Sequence, residues 1–301
     1  MNKKKYLCIG HSTYDITLPV EEYPKENIKH RLTEYVECGG GPASNAAYLL
    51  AKWGMDTSLM SIVGDDYYGS LIIDEFKKVG LNTKYIEQKK GYKTSTSYII
   101  ANKSNGTRTV ITTKKEAIRK LKHNESIYAD YILVDGEHPE TALKVLLENK
   151  ETISVIDAGR LTKDTKMLGK LVDYLVCSKD FAEEFSKTTI DSQDKNTLII
   201  CYEKLKKYFK NQVIITLEAE GCFTKINEEY KKIPSIPVKS IDSTGAGDIF
   251  HGAFTYFIGN EYDLEEAIRL ASITSAISVT RIGSRYSVPT LQEVLDYDNI
   301  I

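Results

Sequence analysis

Residues 242–254 read Asp242-Ser243-Thr244-Gly245-Ala246-Gly247-Asp248-Ile249-Phe250-His251-Gly252-Ala253-Phe254. The small side chains at 243–247 let successive backbone N–H groups crowd together. The apolar spacing of Ile249, Ala253 and Phe257 predicts a helix that starts there. A glycine-rich turn opening a helix aims several N–H groups and the positive end of the helix dipole at one spot, which suits an anion such as a transferring phosphoryl group. Asp248 falls at the mouth of that helix, where a carboxylate can accept a hydrogen bond from an attacking hydroxyl. Phosphoryl transfer asks for positioning and charge stabilisation more than for covalent chemistry. On spacing alone, the carboxylate could also do no more than stabilise the first helical turn.

Upstream of this run, short apolar strands alternate with helical periodicity. Strands are expected at 6–9, 58–63, 131–134, 153–156, 174–177 and 213–217. Helices are expected at 43–53, 67–79, 139–149, 162–170, 179–186 and 195–210, with Gly54 and Gly80 as stops of the first two. Such alternation predicts a mostly parallel sheet covered by helices on both faces, joined by right-handed crossovers. Two regions break the rhythm, 14–37 and 92–112. In the second, residues 94–100 read as a strand, Asn105-Gly106 as a hairpin turn and 108–112 as the return strand. These segments predict a small separate sheet. There is no repeat, low-complexity tract or Pro/Gly/Ser linker, so one domain over 1–301 with a β appendage is expected.

Composition narrows the function classes. The 301 residues carry 40 Lys+Arg against 42 Asp+Glu, a net charge of −2, which argues against a nucleic-acid partner. The start Met1-Asn2-Lys3-Lys4-Lys5 is followed by too short an apolar stretch for a secretory signal, and no apolar run is long enough to span a bilayer. No membrane association and a cytoplasmic location are therefore expected. Cys8, Cys38, Cys177, Cys201 and Cys222 are scattered and odd in number, and read as core residues rather than disulfides or zinc ligands.

A second glycine-rich stretch is Gly39-Gly40-Gly41-Pro42-Ala43-Ser44-Asn45-Ala46-Ala47. Consecutive glycines let a ligand approach the backbone closely, and Pro42 suits the first turn of the following helix. Asn45 offers both a donor and an acceptor, the combination that reads sugar hydroxyls. The plainer reading is a tight turn followed by an asparagine at a helix start.

The pattern D-S-T-G-A-G-D-x-F-x-G-A-F resembles the C-terminal signature D-T-x-G-A-G-D-x-F-x-G of the ribokinase/PfkB family of carbohydrate kinases. That resemblance implies Asp248 as the catalytic base and the backbone of Gly245, Ala246 and Gly247 as the anion hole. The 39–47 stretch resembles the family's N-terminal Gly-Gly signature, which implies that Gly39, Gly40 and Asn45 contact the substrate. Asp15 matches the family's substrate-holding Asp in N-x-D, although Thr13 stands where the Asn would be. Ile62 to Gly69 resembles V-G-x-D-x-x-G, a structural turn in which Asp65 or Asp66 caps a helix.

At the nucleotide end, Thr216-Leu217-Glu218-Ala219-Glu220-Gly221 resembles T-L-G-x-x-G, which implies Thr216, Glu218 and Gly221 along ATP, with Glu218 replacing a glycine. Ser272, in a helix of small residues at 271–281, matches an adenine-adjacent position; the alternative is a buried packing helix. Asp242 and the loop 281–285 resemble a monovalent-cation site, implying K⁺. Where many relatives carry N-x-x-E, this chain has Ser178 and Phe181. Mg²⁺ is still expected with ATP, held mostly through water and phosphates. Neither G-x-x-x-x-G-K-[ST] nor a G-x-G-x-x-G after the first strand occurs.

The resemblance runs from Leu7 to about Pro289. It implies an α/β, three-layer ribokinase-like fold with a mostly parallel central sheet flanked by helices. The regions 14–37 and 92–112 would form a small β-sheet lid, which in relatives often pairs with a second lid in a homodimer. The expected activity is ATP-dependent phosphorylation of a primary hydroxyl of a small sugar, such as a pentose or ketohexose. A nucleoside kinase is the alternative, and a non-catalytic sugar or nucleotide sensor a third.

Overall fold

The computed structural model describes residues 3–113, 117–122 and 126–300. Chain order runs β1 (Lys5–Ile9), β2 (Thr13–Val20), β3 (Val36–Gly40), α1 (Pro42–Lys52), β4 (Asp56–Gly64), α2 (Tyr67–Lys78), β5 (Ile86–Lys89), β6 (Ser95–Asn102), β7 (Thr107–Thr113), β8 (Tyr131–Val134) and α3 (Pro139–Glu148). It continues with β9 (Ile153–Ala158), α4 (Lys163–Leu168), β10 (Tyr174–Ser178), α5 (Lys179–Ser186), α6 (Lys195–Tyr208), β11 (Gln212–Thr216), β12 (Cys222–Ile226), β13 (Glu229–Ile233), α7 (Ala246–Gly259), α8 (Leu264–Ser278) and α9 (Leu291–Asp298).

Among the described residues, nine strands form the main sheet in the order β13-β12-β11-β10-β9-β8-β1-β4-β5. From β11 to β5 every pairing is parallel. Strand side chains alternate between faces, and both faces are apolar. Tyr6 and Cys8 of β1, Leu133 of β8, Val155 of β9 and Val176 of β10 point into one core, against α1, α7 and α8. Leu7, Ile9, Ile132, Val134, Ile156, Leu175 and Cys177 point into the other, against α3, α5 and α6. This is the three-layer arrangement expected from the strand–helix rhythm. All five cysteines are buried and free within these cores. No described helix is long and apolar enough to cross a membrane.

The antiparallel β12–β13 hairpin at the sheet edge was not expected. Its turn places Asn227 and Glu228 at φ 49° and 68°, without the glycine that would mark such a turn in sequence. The second sheet has the order β3-β2-β6-β7. It takes β2 and β3 from the first off-rhythm region and β6 and β7 from the second, with Gly106 at φ 71° in the connecting turn. Residues 21–35 carry neither helix nor strand.

Candidate active site

The two glycine-rich stretches meet at the carboxyl edge of the parallel strands, where open α/β sheets bind ligands. The amide of Asn45, in the first turn of α1, donates from Nδ2 to Oδ2 of Asp248, the third residue of α7, at 2.7 Å. Asp248 is half-buried. Burial raises its pKa, while the Asn45 hydrogen bond and the charges of His251 and Arg108 pull it back down. Gly245 caps α7 at φ 76°, a left-handed conformation that L side chains rarely adopt, and a Cβ there would lie 2.8 Å from Cβ of Ser284. A Cβ on Gly247 would meet nothing within 4 Å, so this face of the turn is open. Ser275 on α8 donates to the Ala246 carbonyl at 3.0 Å and steadies the turn. The first N–H groups of a helix have no intrahelical carbonyl partner; here that of Ala246 turns to the Ser243 carbonyl at 3.3 Å, and the turn lies beside the carboxylate.

Asp15 projects from β2, which pairs with β3 so that Asp15 lies opposite Cys38. A Cβ on Gly40 would sit 1.9 Å from Asp15 Oδ2, so only glycine admits the carboxylate there. Asp15 is buried, and its pKa is pushed up to about 7, mainly by burial and also by the Asp248 charge; Ser97, Arg285 and Ser284 oppose the rise. Its Oδ1 is buried without a hydrogen-bond partner, as expected of an oxygen that takes a ligand hydroxyl.

Gly39 faces the other way, where a Cβ would meet the Arg285 guanidinium at 2.0 Å. Arg285 is 1% exposed. Its Nη1 bonds Glu75 Oε2 at 2.7 Å, its guanidinium lies 4.2 Å from the Phe76 ring centre, and its Nε reaches Asn45 Oδ1 at 3.4 Å. Glu75 also accepts from the Gly39 N–H. A buried arginine thus braces the back of the glycine strand and the amide that holds Asp248.

Asp242 is buried, with Oδ1 accepting from the Thr244 N–H and Oδ2 from the Gly283 N–H, both at 2.9 Å. It ties the turn before α7 to the loop 281–285. Each oxygen keeps lone pairs, and the neighbouring Thr244 hydroxyl is buried without a partner, so a monovalent cation fits this donor set. Among the described residues no group of three or more His, Cys, Asp or Glu side chains could hold a metal.

Thr216 ends β11, and its hydroxyl bonds the Cys177 carbonyl at 3.3 Å. Glu218 is exposed at φ 53°, which explains why the related pattern has glycine at this position. Gly221, at φ 91°, passes so close to Ile233 that a Cβ would lie 2.1 Å from its carbonyl oxygen. Ser272 is buried, with its hydroxyl turned back to the Ile268 carbonyl. That bond to the preceding turn fits the packing-helix alternative.

At the altered N-x-x-E positions, Ser178 caps α5 by accepting from the Phe181 N–H, and Phe181 is fully buried against Phe185 and Phe209. Of the two candidate caps at 65–66, Asp66 is the one used. It accepts from Gly69 N and from the Thr94 hydroxyl, and those bonds lower its pKa despite burial.

Sequence reasoning missed Arg285, Glu75, Arg108, His251 and Asp157. Arg108 on β7 donates to the Ser243 hydroxyl at 2.7 Å, beside the anion turn. At the same hairpin, a Cβ on Gly106 would lie 2.4 Å from Ser240 Oγ, so the second sheet rests on the segment leading into α7. His251 lies one helical turn beyond Gly247, within the quoted run, while Arg108 and Arg285 fall in the return strand 108–112 and the loop 281–285.

The pattern of the "pfkB family carbohydrate kinase" family matches residues 3–291. The chain is similar to a ribokinase of Bacillus subtilis, 24% identical over 294 residues and covering 95% of this chain and 96% of that one. It is also similar to a deoxyribokinase of Salmonella typhi, 24% identical with 96% and 97% covered. Among solved structures, an Arabidopsis thaliana ribokinase complexed with ribose and ATP superposes with a TM-score of 0.78 at 22% identity, covering 98% of each chain.

Proposed function

The chain belongs to the pfkB family of carbohydrate kinases and is an ATP-dependent carbohydrate kinase, and from that premise we propose that it phosphorylates a primary hydroxyl of an uncharged pentose such as ribose or deoxyribose, with Asp248 as base. The observation that carries this reading is the convergence of Asp248, Asn45 and the unpartnered Oδ1 of Asp15 between two glycine-rich turns.

Asp15 accepts sugar hydroxyls on its free oxygen, and Asn45 exchanges its bond to Asp248 for one to the sugar. Gly39 and Gly40 let the ring lie against the strand. Asp248 takes the proton of the attacking hydroxyl as the sugar oxygen bonds to the γ-phosphorus of ATP. The bond from that phosphorus to the β–γ bridging oxygen breaks, and ADP leaves. The N–H groups at Gly245, Ala246 and Gly247 receive the charge that spreads over the transferring oxygens. Mg²⁺, when bound with ATP, neutralises phosphate charge. Thr216, Glu218 and Gly221 shape the turn along the nucleotide; K⁺ at Asp242 would stiffen the loop 281–285.

The second sheet acts as a lid. Arg108 closes onto the phosphoryl site, and water is excluded as a competing acceptor. The outer lid face, with exposed Tyr98 and Ile111, suits pairing with a second copy of the chain, and we place the enzyme in the cytoplasm. The relatives named above are sugar kinases, which does not favour a nucleoside acceptor. An ADP-release screen over pentoses, ketohexoses, sugar phosphates and nucleosides tests the reading. Turnover confined to nucleosides or sugar phosphates overturns it.

A further inference from the structure

Behind the anion turn lies a polar pair that the motif reading leaves unused. His251 is 4% exposed and Asp157, in β9, is 7% exposed. Nδ1 of His251 stands 2.6 Å from the Gly247 carbonyl oxygen and 3.2 Å from Asp157 Oδ2. Nε2 stands 3.3 Å from the Val176 carbonyl oxygen on β10. Both ring nitrogens therefore face acceptors only. A neutral imidazole has one N–H and would leave two lone pairs opposed; the doubly protonated ring satisfies both sides.

We infer that His251 is a buried imidazolium, paired with Asp157, that fixes the Gly247 carbonyl and supplies positive charge under the amide turn, so that it positions the anion hole and keeps Asp248 ionised. Asp157, pushed up to about 6 chiefly by burial and held down by His251, is still mostly a carboxylate at neutral pH, as the pair requires. The other charged groups around the pair act on it through the same space. Asp248 lies on α7 itself and Asp135 beyond β8, Asp15 reaches Asp248 from β2, and Arg108 reaches it from β7. Among these, His251 and Arg108 are the cations that favour ionised Asp248.

The inference rests on Asp248 being the base, but its test does not. In wild-type enzyme labelled with ¹⁵N-histidine, both His251 ring nitrogens should be protonated at pH 7.5. A ring with a single N–H there overturns the inference whether or not Asp248 is the base. In His251→Gln the acid limb of the kcat profile, measured at saturating sugar and ATP, should move up by about one pH unit, with sugar KM changed less than about twofold. An unmoved limb also overturns it. Loss of turnover in Asp248→Asn addresses the base assignment separately.

Discussion

Replacing Gly40 with alanine should damage acceptor use and leave the nucleotide end alone. The new Cβ would sit 1.9 Å from Asp15 Oδ2, whereas ordinary contact begins at 3.4 Å, so one group must yield by about 1.5 Å. β3 is fixed by its ladder to β2 and by the Glu75 bond to the Gly39 N–H, so the carboxylate has to turn away. Turning costs the charge-assisted hydrogen bonds from the sugar, and one such bond is worth about 1.5–3 kcal/mol. The expected loss is about 10- to 150-fold in kcat/KM for the sugar. A coupled ADP assay with the sugar varied at saturating ATP, then ATP varied at saturating sugar, should show the loss on the sugar axis, with KM for ATP nearly unchanged. Undiminished sugar kcat/KM in a folded Gly40→Ala enzyme refutes the placement of Asp15 against this strand as the acceptor site.

Arg108→Met should lower kcat by about 10- to 100-fold while sugar affinity by calorimetry stays near wild type, since the guanidinium faces the anion turn rather than Asp15. Sugar affinity itself should rise with pH: Asp15, raised to about 7, accepts hydroxyls best when ionised, so binding measured without ATP should strengthen about tenfold from pH 6 to pH 8. A flat profile would remove Asp15 as the titrating ligand.

Most of the architecture was legible because its signals are local. Buried parallel strands show as short apolar runs, and Gly54 and Gly80 mark helix ends with the positive φ values, 83° and 77°, that such stops require. The hairpin at Asn105-Gly106 was legible for the same reason, whereas the β12–β13 turn at Asn227-Glu228 was not, because non-glycine residues adopt left-handed φ there. In the candidate site, Asp248, Asn45 and Asp15 sit in motifs, so their positions were legible. Arg285 and Glu75 were not, since residues 210 apart in sequence meet only through the packing of the loop after α8 on α2. His251 and Asp157 meet because α7 lies across β9, again a tertiary fact. For Ser272 the pattern carries position alone; the hydroxyl's bond to Ile268 one turn back is a local device that the pattern does not encode.

The central claim is that Asp248 removes the acceptor proton. Asp248→Asn keeps the size of the side chain and an oxygen that can accept from Asn45 Nδ2, so the cleft should stay assembled. Single-turnover phosphoryl transfer to the best sugar of the screen, measured beside sugar and ATP dissociation constants, is the direct test. The expected result is a rate about 100- to 10,000-fold lower with binding little changed. Transfer at the wild-type rate would contradict the account.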